Sequence, residues 1–218
     1  MSHTRRNLII TLASATCALF TACQSSNTNE VKPMKEETST ETAKETNLNL
    51  EYATLAGGCF WCIEAVFGQL EGVESAVSGY TGGHVENPTY EQVCSKNTGH
   101  YEVVKVGFDP EVISYEAILD WFWQAHNPTQ ADGQGGDIGE PYRPAIFVHS
   151  DEQRRIAAAS KAQWQAKFEQ PIATAILNEA TFYPAENYHQ DYYELNKNRN
   201  PYCQVVITPK LKKLDLKY

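Results

Sequence analysis

The chain has 218 residues, a net charge of −9 and a hydrophobic fraction of 42%. It is long enough for one catalytic domain with a sizeable core, and its composition is that of a soluble globular protein. The acidic balance argues against a nucleic-acid partner, since no dense Lys/Arg stripe appears beyond Lys210, Lys212 and Lys213.

The N-terminus reads as a targeting segment. Arg5 and Arg6 form a basic start, and Leu8 to Phe20 is an apolar run too short to span a bilayer. The run Leu19-Phe20-Thr21-Ala22-Cys23 resembles a bacterial lipobox, with small residues just before a cysteine. Residues 1–22 are therefore expected to be a signal peptide, with Cys23 as the lipidated first residue of an exported protein. An ordinary cleaved signal with an incidental Cys23 is the plainer alternative. Gln24 after Cys23 resembles Gram-negative sorting to the outer membrane, facing the periplasm. Lipid alone, not a basic patch, would then hold the chain at a membrane. Residues 23–48 are rich in Glu, Thr, Lys, Ser and Asn and have little to bury, which predicts a disordered tether. The folded domain is placed at 49–218.

Within that domain, Tyr52 to Ala56 reads as a strand and Cys59 to Leu70 as a helix. Val73 to Tyr80 alternates toward a second strand, ended by Thr81-Gly82-Gly83, and Pro88 to Cys94 fits a short helix. Tyr101 to Phe108 is the clearest strand, with Val104, Val106 and Phe108 on one face. Ser114 can cap a helix carrying Ile118, Trp121, Phe122 and Ala125. Asn127 to Arg143 is a long Gly-rich loop, of the kind that is functional or disordered in compact domains. Ala145 to His149 reads as a strand, Asp151 to Phe168 as a helix and Ile172 to Ala180 as a last strand. This order predicts an α+β two-layer sandwich with a split βαβ (ferredoxin-like) core and a long C-terminal tail.

The chemistry concentrates at Gly57-Gly58-Cys59-Phe60-Trp61-Cys62. A cysteine where a strand becomes a helix faces unpaired N–H groups and the positive end of the helix dipole, which favour thiolate. Phe60 and Trp61 can wall an apolar pocket beside it. Glu102 shares the parity of Val104, so its carboxyl falls on the apolar face, where burial keeps it protonated and able to donate; a strand-end Glu that reaches solvent is the alternative. Asp137, in a glycine-rich loop, suits either the site or a simple turn. Tyr80 and Tyr142 border turns, and their phenols could hydrogen-bond an oxyanion-like oxygen, though packing is the commoner use. His189 has no spaced cysteine partner, which favours hydrogen bonding over zinc. Cys59 and Cys62 form a C-x-x-C without a second pair of ligands, so the reading is redox, with no metal. With Cys94 and Cys203 they make four thiols, and a domain of this length needs no permanent staples.

The segment Gly57 to Trp61 resembles the active-site signature of the peptide methionine sulfoxide reductase A family. Ser78 to Gly83, Asn87 to Tyr90, Thr98 to Glu102, Gln134 to Gly139, Tyr142-Arg143 and Tyr188 to Gln190 resemble further family blocks, in family order, over about residues 51–208. The resemblance implies reduction of methionine S-sulfoxide, free or in peptides and proteins. Cys59 would be the nucleophile and Glu102 the proton donor. Tyr80 and Tyr142 would bind the sulfoxide oxygen, Asp137 would support the site, and Phe60 and Trp61 would hold the S-methyl group. Cys203 is the favoured resolving thiol, with Cys62 the alternative. An external thioredoxin-like dithiol would recycle the disulfide, without organic cofactor or metal. Two departures stand out: Cys62 occupies a position that is glycine in many members, and Pro201-Tyr202 precede Cys203 where many have glycines. A general C-x-x-C disulfide oxidoreductase and a non-catalytic lipoprotein binding Met-rich or aromatic partners are the competing readings.

Overall fold

A computed structural model describes residues 49–218. The expected signal peptide, Cys23 and the tether lie outside the described residues. The fold is a mixed α+β structure around a central sheet. Strand β1 (Glu51–Ala56) leads into helix α1 (Phe60–Phe67), and β2 (Val73–Thr81) follows. Helix α2 (Tyr90–Cys94) starts at a capping box, in which Thr89 accepts from the Gln92 N–H and Gln92 accepts from the Thr89 N–H. Strand β3 (Tyr101–Phe108) and helix α3 (Tyr115–Ala125) come next, with Ser114 accepting from the Ala117 N–H as expected.

The Gly-rich loop is not featureless. It holds a two-stranded ribbon of β4 (Gly133–Gln134) and β5 (Asp137–Ile138), then a 3-10 turn at Glu140–Tyr142. Strand β6 (Ala145–Val148), helix α4 (Asp151–Gln165) and strand β7 (Ala175–Asn178) complete the longer elements. The last strand is not β7, as the sequence suggests, but β8 (Tyr183–Pro184), which pairs with the edge of β2. Two residues including a proline carry no strand signature, and an edge position tolerates the missing N–H.

The main sheet runs β7-β6-β1-β3-β2-β8. Every pairing is antiparallel except β6 with β7. Strand β3 lies between β1 and β2, so its residues face the start of α1 across a single layer. The helix-covered face buries Ala53, Leu55, Val104, Val106, Phe108 and Ile146 with Ile63, Phe67, Ile118 and Phe122. The opposite face carries a smaller cluster of Ala56, Val103, Ala145 and Phe147. This alternation along β1, β3 and β6 is the period of a strand buried on both sides.

The C-terminal residues, expected as a long tail, form α5 (Tyr192–Asn196), a π-helical turn at Cys203–Ile207 and α6 (Thr208–Lys213). They pack against α1. Tyr193, Cys203, Ile207 and Leu211 are buried in the main core, because their side chains complete a hydrophobic layer that α1 alone leaves open.

Candidate active site

Gly57 and Gly58 make the passage from β1 to α1. Gly58 has φ +90°, and a Cβ there would fall 2.6 Å from Gln134 Cγ. Glycine thus serves both the left-handed backbone and the close approach of the β4–β5 ribbon. The turn places Cys59 as the N-cap of α1, buried, with no side-chain cap of its own. The open N–H of Phe60 is instead taken by Glu102 Oε2 at 3.0 Å. This bond brings the middle of the sheet to the start of the helix that carries Cys59, and leaves Oε1 free of it.

Glu102 is 2% exposed, on the apolar face as its parity predicts. Burial pushes its carboxyl up to about 8, against the pull of the Phe60 N–H, with the charges of Asp137 and Cys62 adding to the rise. It is therefore protonated at neutral pH and able to donate. Tyr80, fully buried, lies directly across the β2–β3 ladder from Glu102. Its hydroxyl donates to Glu186 Oε2 at 3.0 Å, and burial followed by the Glu186 charge keeps the phenol protonated. Tyr142, half-buried at the end of the 3-10 turn, is held protonated by burial and then by the charges of Glu102 and Cys94.

The two cysteines of the C-x-x-C behave as one unit. Burial raises the Cys59 thiol, and its hydrogen bond to Cys62 and the charge of Glu102 raise it further. The same hydrogen bond pulls Cys62 down to about 6, against burial and with help from Lys210. The helix start alone suggests an ionised Cys59. In the folded site burial outweighs the dipole at Cys59, and Cys62 is the more acidic thiol of the pair. The Cys62 N–H also donates to the Cys59 carbonyl at 3.1 Å, closing the first turn.

Tyr202, which the sequence did not suggest as a site residue, joins two of these groups. Its hydroxyl donates to Asp137 Oδ2 at 2.5 Å and lies 3.8 Å from Cys62 Sγ. Asp137, on the β4–β5 ribbon, thus holds the hydroxyl that lies beside Cys62. Cys203, the next residue, is fully buried, and its thiol is raised by burial and then by the Cys62 charge. Cys94 is half-buried on α2, and burial raises its thiol too.

The aromatic wall is assembled from distant segments. Phe60 packs on Tyr80 with centroids 5.8 Å apart and on His189 at 5.1 Å. Trp61 stacks on Tyr192 with nearly parallel rings, centroids 3.6 Å apart, and its Nε1–H donates to His189 Nδ1 at 3.2 Å. His189 is buried, and burial lowers its titration, so it stays neutral as a hydrogen-bonding residue. Glu186 was also missed. It accepts from both the Tyr80 hydroxyl and the Tyr90 N–H, and nothing local to Tyr80 marks a partner 106 residues away. Among the described residues no group of three or more His, Cys, Asp or Glu side chains is arranged to hold a metal ion.

The arrangement is a buried thiol pair, a protonated carboxyl and phenols around an apolar wall. That is suited to attacking a small group while its oxygen is protonated. Comparison with known proteins agrees. Residues 51–218 match the family described as peptide methionine sulfoxide reductase. The chain is 53% identical over 163 residues to the peptide methionine sulfoxide reductase MsrA of Thermus thermophilus, covering 75% of this chain and 92% of that one. It resembles the solved structure of reduced Mxr1 from Saccharomyces cerevisiae with a TM-score of 0.67 and 34% identity, over 69% of this chain and 88% of that one. It also resembles methionine sulfoxide reductase A of Corynebacterium diphtheriae, with a TM-score of 0.62 and 31% identity, over 70% of this chain and 78% of that one. A buried acid facing a thiol, within a match that runs the length of the folded domain, leaves one conclusion: this chain belongs to the peptide methionine sulfoxide reductase family.

Proposed function

We propose that the reduction of methionine sulfoxide runs through Cys59 on the S epimer, with Glu102 as the acid. The observation that carries this reading is the 3.0 Å bond from the Phe60 N–H to the Glu102 carboxyl, which sets a buried proton donor beside the Cys59 sulfur. As Cys59 attacks the sulfoxide sulfur, its proton passes to Cys62, which already shares it. Glu102 protonates the sulfoxide oxygen, and the Tyr142 phenol, with the Tyr80 phenol once it turns from Glu186, hydrogen-bonds it as negative charge develops there. The oxygen, protonated by Glu102 and the thiol pair, leaves as water. A water then attacks Cys59 Sγ, the new S–S bond breaks, and methionine leaves with its electron pair. The released proton returns to the site, and Cys59 is left as a sulfenic acid. Phe60 and Trp61 hold the S-methyl group, and Asp137 holds Tyr202 over the pair.

A second thiol then condenses with the sulfenic acid to a disulfide, releasing water. The position of Cys62 on the first turn of α1, its N–H bonded to the Cys59 carbonyl, supports Cys62 as the first to close. Cys203, fully buried behind Cys62, would follow as the thiol that passes the disulfide on. An external thioredoxin-like dithiol restores both thiols by exchange. The strand order, with β3 between β1 and β2 and β6 beside β1, supports a split βαβ (ferredoxin-like) description of the core. The basic start, short apolar run and Cys23 support an exported lipoprotein, lipid-anchored through Cys23 and facing the periplasm from the outer membrane. The full-length chain grown with labelled fatty acid should carry the label; equal labelling of Cys23→Ser would remove the anchor from this reading.

The test of the chemistry is one equivalent of methionine S-sulfoxide followed by mass spectrometry. The expected product is a Cys59–Cys62 disulfide in the wild type and no methionine from Cys59→Ser. A Cys59–Cys203 bond formed first would give the resolving role to Cys203. Turnover of the R epimer at the rate of the S epimer would overturn the stereochemical assignment.

A further inference from the structure

We infer that Glu64 is a positioning residue for this reaction: its carboxylate clamps the turn at Asp191 and Tyr192 to α1 and so fixes the aromatic wall at Trp61. Glu64 lies one turn beyond Trp61 on α1 and is only 5% exposed. Its two oxygens accept from consecutive backbone N–H groups, Oε1 from Asp191 at 3.1 Å and Oε2 from Tyr192 at 3.2 Å. Asp191 has φ +51°, a left-handed turn that aims both N–H groups at one carboxylate. The clamped segment carries the two partners of Trp61. Tyr192 covers its indole face at 3.6 Å, and His189, three residues earlier, accepts from its Nε1–H.

A buried carboxylate with no cation beside it is costly, which argues for a function over simple packing. The carboxylate edges a cavity of about 250 Å³ whose lining includes no Lys or Arg. Asp191 and Glu194 face it from the C-terminal segment, and Glu74 from β2. The fully buried Ser78 hydroxyl, also on β2, makes no hydrogen bond in the structure and, facing the Glu64 carboxyl, pulls its titration down. Burial is the larger effect and pushes Glu64 up to about 7, and the charge of Asp191 adds to the rise. Once protonated, one oxygen becomes a hydroxyl and a poor acceptor. The clamp therefore holds above neutrality and loosens as pH falls through about 7.

The inference rests on Trp61 forming part of the substrate wall, and the test separates the two. Steady-state kinetics are measured on the full-length chain with a methionine-S-sulfoxide peptide and dithiothreitol, from pH 5.5 to 8.5. Wild type should show KM rising as pH drops below about 7. Glu64→Gln, which can accept only one of the two bonds, should raise KM roughly three- to tenfold at pH 8 with kcat within twofold, and should flatten that pH dependence. Ser78→Ala, a small change that leaves the fold intact, should move the KM inflection to higher pH. Trp61→Ala should raise KM at every pH. If Trp61→Ala leaves KM unchanged, the aromatic wall is misassigned and the clamp falls with it. If Trp61→Ala raises KM while Glu64→Gln and Ser78→Ala keep the wild-type profile, the clamp alone is overturned.

Discussion

Glu102 shows how one side chain can be read from period alone and still depend on the fold for its chemistry. Its parity with Val104 and Val106 puts it on the apolar face, and the structure finds it there. Its usefulness comes from the balance of two opposing influences. Desolvation raises the carboxyl, and the Phe60 N–H lowers it, leaving it at about 8. Without the N–H it would hold its proton too tightly to donate; without burial it would have none near neutral pH. Under the proposed mechanism Glu102 acts as the acid and Cys62 must be ionised to take the Cys59 proton, so kcat should be level between about 6 and about 8 and fall as pH rises past the upper value. Glu102→Gln should lower kcat by roughly 10²-fold or more and remove that falling limb. A limb unchanged in the variant would assign the proton to another group. The KM effect at Glu64 lies on the acidic side, so the two carboxyls are separable in a single pH series.

Between elements, the sequence was informative where structure is local and uninformative where it is not. The start of α3 was marked by Ser114, and Thr89 and Ser150 cap α2 and α4 in the same way, each accepting a hydrogen bond from the backbone N–H three residues on. The junction of β1 and α1 was marked by Gly57-Gly58 and the thiol itself. By contrast, Glu186 and Tyr202 take their roles from contacts 106 and 65 residues away, to Tyr80 and Asp137. No short-range pattern encodes such a pairing. The C-terminal segment illustrates the same limit. Its Pro and aromatic residues read as a loose tail, yet Ile207 and Leu211 are fully buried, because α1 presents an apolar surface that only a returning chain can cover. The π turn that starts at Cys203 lies against that surface. Such turns recur at functional sites, and this one buries the third thiol behind the pair rather than leaving it free.

The whole fold bears the cost of the site, and pH exposes it. Glu102 and Glu64 both titrate above an unfolded carboxyl, so between about 4.5 and their folded values the native state binds more protons than the unfolded chain. Their contribution is full at acidic pH and is lost as pH rises through about 7 for Glu64 and about 8 for Glu102. Two other buried groups have the opposite sign. His126, bonded to the Phe122 carbonyl and the Thr174 hydroxyl, is lowered by burial to about 3, so its contribution is lost as pH falls below the ordinary histidine range. Cys62, lowered to about 6, adds stability as pH rises toward 9. The total profile therefore mixes signs, and a single melting curve against pH says little about any one group. The difference between wild type and Glu102→Gln isolates the carboxyl together with its coupling to the thiols, because the histidine titrates alike in both. From pH 6.5 to 8.5 that difference should shift by about 2 kcal/mol in favour of the variant. In melting temperature this is roughly 4–8 °C for a domain of this size. Parallel curves over that interval would mean that Glu102 is ionised throughout in the native protein, and the acid role drawn from its burial would fail on stability data alone.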